Sequence, residues 1–207
     1  MERLELLSTR LMSRQAHNST WEHAILGTGE MADLIRNFPW ADTSAGQINQ
    51  WSNELLSLVN LVLAAPLPML LYFGPELLLV YNDAARPIAS DKHPGALGAR
   101  ADHVWKEAWH IIGPEVQKVL STGKSVSHES VLVPLEQEGE LKNLYWNYAY
   151  SPAYQDGRIF GVLLVCANIT EAVEAQAAQK IASARLDGVL RASSDAIFSL
   201  DREWRFT

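Results

Sequence analysis

Two short apolar runs, Met69 to Phe73 and Leu77 to Tyr81, flank Gly74-Pro75-Glu76. Gly permits positive φ and Pro fixes the φ that follows, so the pattern predicts a β-hairpin. Asn82 or Asp83 then offers a side-chain oxygen to cap a short helix over Ala84 to Ser90. Ahead of the hairpin, Trp51, Leu55, Leu58, Val59, Val62 and Leu63 recur at helical spacing. They predict a helix over Ile48 to Ala65 that stops before Pro66. A face so apolar must lie on something, and the sheet that begins immediately afterwards is the natural partner.

Beyond a polar connector, Ala99 to Ser121 reads as two helices broken at Gly113-Pro114, with Val104, Trp105, Ala108, Trp109 and Ile112 on one side of the first. Three strands close the pattern. The first spans Ser125 to Leu135 and ends at a charged turn, Glu136 to Glu140. The second, Leu144 to Ser151, alternates with period two, placing Leu144, Trp146, Tyr148 and Tyr150 on one face. The third, Arg158 to Ala167, follows a turn at Gln155-Asp156-Gly157 and is apolar on both faces, as a strand covered on both sides would be. Its alternation puts Cys166 with Val162 and Leu164, so a buried, unreactive thiol is expected. Two helical patterns flank this region. Leu4, Leu7 and Leu11 suit either a dimer-forming helix or a loosely docked arm; Val173, Ala177 and Ile181 form a thin stripe on a helix that Asn168, Thr170 and Glu171 are placed to cap.

The order helix, strand, strand, short helices, longer helix and three strands carries the phrases GPELLLVYNDAARPI, DKHPGALG and YWNYAYSPAYQDGRIFGVLLVCANITE. Together these resemble a PAS sensor domain of the kind found in bacterial multi-domain sensor histidine kinases, over about Gly27 to Glu171. The resemblance implies an α+β fold: a five-stranded antiparallel sheet with short helices on one face, an N-terminal helical cap and a C-terminal connector helix. It divides the chain into an arm (1–26), a cap (27–66), a core (67–168) and a connector (169–192). Residues 193–207 look like the truncated start of a second PAS domain, as in a piece cut from a longer protein. The function it implies is a non-enzymatic sensory input module of a bacterial signalling protein, with a histidine kinase as the expected output. The alternatives are a ligand-free dimerisation and relay scaffold, or an input domain of a cyclic-di-GMP enzyme. In similar proteins the connector carries signals as a parallel coiled coil, which makes Val173, Ala177 and Ile181 the candidate seam of a homodimer.

Composition narrows the chemistry. A formal charge of −7 argues against nucleic acid or an anionic membrane as partner. Cys166 is the sole cysteine, and the charged N-terminus lacks the apolar run of a signal peptide; a cytoplasmic location without membrane insertion is expected. Gly27-Thr28-Gly29-Glu30-Met31-Ala32 matches G-x-G-x-x-A, but no βαβ unit surrounds it, and the glycines read as an entry to a helix over Glu30 to Asn37. The six histidines show no metal spacing, Ser121 to Lys124 is an S-x-x-K match without companion motifs, and no catalytic constellation emerges. A cysteine in the last strand argues against flavin–cysteinyl photochemistry, and His110 turns away from the apolar stripe where a haem ligand would be needed; the cofactor is left unassigned. Tyr81, Trp105, Trp109, Trp146, Tyr148 and Leu163 are the candidate lining of a pocket for a planar ligand. A filled aromatic core is the other reading of the same residues.

Overall fold

The computed structural model describes residues 24–192. The Leu4, Leu7 and Leu11 stripe and the 193–207 segment lie outside the described residues. The chain divides into two units, one through Asn168 and one from Ile169 onward. In the first the elements run α1 (Glu30–Asn37), α2 (Asn53–Ala64), β1 (Met69–Phe73), β2 (Leu78–Tyr81), α3 (Arg86–Ala89), α4 (Ala101–Val104), α5 (Trp109–Thr122), β3 (Val126–Gln137), β4 (Glu140–Gln155) and β5 (Arg158–Asn168). The strands form one antiparallel sheet in the order β2-β1-β5-β4-β3. This is the α+β architecture, five antiparallel strands with helices, that the PAS resemblance implies. The second unit is described by one helix, α6 (Thr170–Ala192), on which Ile181, Leu186 and Val189 are exposed.

Strand register sorts the side chains. Leu70 and Tyr72 pair with Leu164 and Val162, and Tyr148 and Tyr150 pair with Cys166 and Leu164. One sheet face therefore carries the aromatic stripe of β4; the other carries Leu71, Phe73, Leu163 and Val165. Helix α5 lies over β3, β4 and β5, while α2 lies against β1, β2 and β4. On the face away from the stripe, Phe73 meets Trp51 at 5.8 Å between ring centroids, and Trp51 meets Trp40 at 5.0 Å. Strand β5 crosses β1 so closely at Gly161 that a Cβ there would collide with the Tyr72 carbonyl oxygen.

Several boundaries differ from the sequence reading, each for a local reason. Helix α2 begins at Asn53 because the Ser52 hydroxyl accepts from the Leu55 amide at 3.2 Å. Trp51 thus precedes the helix and belongs to the Trp40–Phe73 cluster instead. On α2, Leu55, Val59 and Val62 are buried, whereas Leu58 is only half-buried. The expected break at Gly113-Pro114 is absent: α5 runs through it, and the interruption falls at 105–108. Pro114 sits one turn into α5, where a single backbone bond is lost, and Gly113 leaves room for the Trp109 ring to lie along the helix. The β3–β4 turn shrinks to Glu138-Gly139, both at positive φ (56° and 75°), so the flanking charged residues continue the strands.

The buried amide of Asn82 ties the hairpin to the cap. Its Oδ1 accepts from the Met69 amide at 3.1 Å and the Ala85 amide at 3.0 Å, and its Nδ2 donates to the Ala65 carbonyl at 2.9 Å and the Leu67 carbonyl at 2.7 Å. Next to it, Asp83 accepts from the Met31 amide at the start of α1, in the space that Gly29 leaves by lacking a Cβ. The glycine-rich stretch is therefore a docked entry to α1. Arg36 reinforces it by donating to the Ile25 and Gly27 carbonyls, both at 2.9 Å.

Candidate functional site

Between the aromatic sheet face and the helices lies a cavity with about 50 Å³ open to the centre of a water molecule. Alternation alone delivers most of its wall: Leu70 and Tyr72 from β1, Val133 and Leu135 from β3, Trp146, Tyr148 and Tyr150 from β4, Leu164 and Cys166 from β5. The roof is Ile88 of α3, Trp105 just after α4, and Ile111 and Ile112 of α5. Among the described residues, no charged side chain lines it.

Of the residues singled out in the sequence, Trp105, Trp146 and Tyr148 meet at this cavity. The other three lie elsewhere, each with a cause in the fold. Tyr81 is on the same sheet face, opposite Leu70, but on the outer strand β2, and its hydroxyl is held by His93 Nδ1 at 2.8 Å. Trp109 is half-buried against Gly113 of its own helix. Leu163 pairs with Leu71 and so faces the α2 side. His110 is exposed. Sequence reasoning missed Leu70, Tyr72 and Cys166 as lining residues, although the signal was present. Period-two alternation in β1 and β5 puts them on the same face as the aromatic stripe once the antiparallel register is known.

Trp105 is fixed from outside the cavity. Lys92 Nζ lies 4.9 Å from the centre of its ring and donates to Glu107, and the same Glu107 oxygen accepts from the Glu136 amide at 3.0 Å. Through the Glu136 amide, Glu107 staples the segment between α4 and α5 to β3. Burial pushes the Glu107 carboxyl up, but the Lys92 ammonium and the Glu136 amide outweigh it and hold the group below the usual carboxylate range. Beside Tyr148, Glu115 of α5 and His128 of β3 approach to 3.5 Å at the α5–β3 seam.

The cavity wall is almost wholly apolar, and the ionisable groups on its lining residues are weak acids kept neutral. Burial raises the Tyr72 and Tyr150 hydroxyls well above the ordinary phenol range, and burial with the nearby Glu115 charge raises Tyr148. Burial alone pushes the Cys166 thiol up to about 12. Tyr148 and Tyr150 stack edge to face at 5.3 Å. Trp105 and Trp146 are 2% and 4% exposed, and their indole Nε1 atoms are buried without a hydrogen-bond partner among the described residues. The Trp105 indole N–H lies close enough to the Tyr72 hydroxyl to oppose the rise of its pKa, although its geometry falls short of a full hydrogen bond. Such a lining suits an uncharged molecule better than a charged one, and its phenols and thiol are held in their neutral forms at neutral pH.

No family model matches this sequence, and neither does any curated protein sequence. Solved structures similar to the chain include the PAS domain of a protein from Colwellia psychrerythraea, with 11% identity, 56% of this chain and 98% of that one covered, and a TM-score of 0.43. The PAS domain of BvgS from Bordetella pertussis is similar with 18% identity, 65% and 99% coverage and a TM-score of 0.40. A sensory box sensor histidine kinase from Vibrio cholerae is similar with 16% identity, 56% and 92% coverage and a TM-score of 0.40. Among the described residues, no helix is long and apolar enough to cross a membrane.

Proposed function

We propose that this chain is a non-enzymatic sensory input domain of the PAS type, which binds a small molecule between its sheet and α5 and passes the state of that site to an output domain through α6. The observation that carries the reading is the cavity itself. Its lining is aromatic and uncharged, and it includes two buried indoles with unpartnered N–H groups. A sensor histidine kinase in a bacterial cytoplasm is the output and setting we favour, on the strength of the sequence phrases that resemble that subfamily. The candidate pocket set Tyr81, Trp105, Trp109, Trp146, Tyr148 and Leu163 is accordingly narrowed to Trp105, Trp146 and Tyr148, joined by Tyr72, Tyr150 and Cys166.

A fragment library spanning neutral, cationic and anionic rings, screened by thermal shift, tests the site. Hits are expected, and they should vanish in Val133→Phe, which fills the cavity from β3. A library without hits, or hits that persist in Val133→Phe, refutes the sensory pocket.

We also assign α6 as the seam of a parallel homodimer, with Val173, Ala177 and Ile181 as its candidate contacts. Ala177 and Ile181 are exposed, and a lone helix of this length is marginal in water. Val173→Glu with Ile181→Glu should shift the chain toward monomer in sedimentation while the first unit stays folded. A wild-type chain that is monomeric at tens of micromolar would remove this assignment.

A further inference from the structure

The wall of the cavity is carbon almost throughout, although five of its residues carry a nitrogen or an oxygen. The indole nitrogens of Trp105 and Trp146 are buried in the surrounding packing and present no surface to the space. Burial holds the hydroxyls of Tyr72, Tyr148 and Tyr150 in their neutral forms. What the wall offers is aromatic ring and aliphatic side chain, the latter from Leu70, Ile88, Val133 and Leu164 among others. A water held in such a place needs about two to four polar partners, and this wall does not supply them. Apolar cavities of sufficient size take up apolar molecules instead.

From this we infer that the cavity's ligand is a single-ring hydrocarbon, uncharged and without a hydrogen-bonding group on the part that is enclosed. The inference rests on the sensory reading above and adds the ligand's chemistry to it. Size sets the ring count. Taken as a sphere, the 50 Å³ open to the centre of a water molecule becomes a space roughly 7 Å across once a water radius of about 1.4 Å is added on each side. That is the width of one six-membered carbon ring, and it is shorter than two fused rings. Access lies between α5 and β4, because Ile111, Ile112 and Tyr148 are half-buried while the other lining residues are buried.

Polar and charged molecules are disfavoured for separate reasons. A hydroxyl on the ring would give up its water at a wall of carbon and find nothing in exchange, which costs about tenfold or more in affinity. An anion would meet no cation in the lining and would pass Glu115 beside Tyr148, where that carboxylate faces His128 at 3.5 Å. A cation could lie against the aromatic rings. Its N–H groups would still need acceptors, and no carboxylate, amide or imidazole side chain is among the lining residues.

Toluene, phenol, benzoate, benzylammonium and naphthalene separate these cases, each titrated at pH 7.5 into the 13C-methyl-labelled chain and followed by NMR. Toluene should shift the methyl signals of Ile88, Val133 and Leu164, and phenol, of the same shape, should bind about tenfold or more weakly. Benzoate and benzylammonium should leave those signals in place. Naphthalene should be refused by the parent and admitted by Ile88→Ala, which widens the roof; a gain of binding also shows that the variant is folded. Phenol binding as tightly as toluene, either ion binding at these methyls, or naphthalene binding the parent as well as toluene does, overturns the inference. If toluene is silent while other library fragments bind and are lost in Val133→Phe, the ligand class is wrong and the sensory reading stands. If nothing of any class binds, both readings fall.

Discussion

Asn82 is the residue whose removal the fold should feel most clearly. It is 1% exposed, and one amide satisfies four backbone groups from three segments: the end of the cap, the start of β1 and the turn after β2. Asn82→Ala strands all four. A buried polar group left without a partner costs about 1–3 kcal/mol, but the four are not equal. Leu67 is exposed and Ala65 half-buried, so water can reach their carbonyls; Ala85 is buried, and the amides of Met69 and Ala85 have less access. The expected loss is about 3–5 kcal/mol, a large share of the roughly 5–15 kcal/mol typical of a whole domain. For a domain of this size that lowers the Tm by about 10 °C. Urea unfolding followed by tryptophan fluorescence measures it, with an unchanged m-value marking a two-state comparison. Asn82→Asp separates the two halves of the network. It keeps the acceptor for Met69 and Ala85 but turns a carboxylate toward two carbonyl oxygens. That raises the variant's folded pKa above its unfolded value, so its deficit should be largest at neutral pH and shrink as pH falls through the raised value. An Asn82→Ala chain within about 1 kcal/mol of the parent would show that the network does not hold the hairpin to the cap.

Other positions make separate claims. Val59→Asp, at a fully buried position of α2, should cost several kcal/mol or prevent folding, whereas Leu58→Asp at the half-buried neighbour should cost visibly less; equal melting temperatures for the two would contradict the observed helix face. Cys166, with its thiol pushed up to about 12 by burial, should react with a disulfide reagent at neutral pH only as fast as the chain opens; a native-state rate like that of a free thiol refutes the burial. Glu107 is held below its ordinary value, so its stabilisation is complete above the unfolded carboxylate range and is lost as pH falls toward the lowered value. Urea midpoints should therefore converge between parent and Glu107→Gln as pH drops from 7 to 3, and parallel curves would deny the ion pair a stabilising role.

Periodicity made the sheet legible. The alternation of Trp146, Tyr148 and Tyr150 and the two-sided apolarity of β5 are local signals that survive into the fold because each strand has two faces with different neighbours. The cap was legible for the same reason, through Leu55, Val59 and Val62. What escaped were features decided by another part of the chain. Nothing around Gly113-Pro114 says that Trp109 will lie along Gly113 and let the helix continue. The sequence near Tyr81 does not reveal that His93 will take its hydroxyl and that β2 will be the outer strand. Nor does the Gly27 to Ala32 stretch announce Asp83, whose carboxylate occupies the space at Gly29. The cavity was half legible: the stripe was visible, but which of its neighbours close over it depends on pairings across β1 and β5 that local pattern cannot supply.

The place of the cavity bears on how a bound molecule would act at a distance. Strand β5 contributes Leu164 and Cys166 to the lining and ends at Asn168, and α6 begins at Thr170. Only Ile169 separates the two in sequence. On the proposed reading the ligand acts by favouring one position of β5 over another, and its leverage has a ceiling. A ligand that binds one state alone contributes about 2.7 kcal/mol at a concentration of 100 Kd, which biases a two-state equilibrium by about a hundredfold. A strong, self-sufficient coiled coil at α6 would swamp an effect of that size. The alanine-rich stripe with isolated Val173 and Ile181 does not make one. On the proposed reading a weak seam is what lets a bound molecule matter, and substitutions that strengthen it, such as Ala177→Leu with Ala184→Leu, should lock the output while leaving ligand affinity at the cavity within the same hundredfold limit.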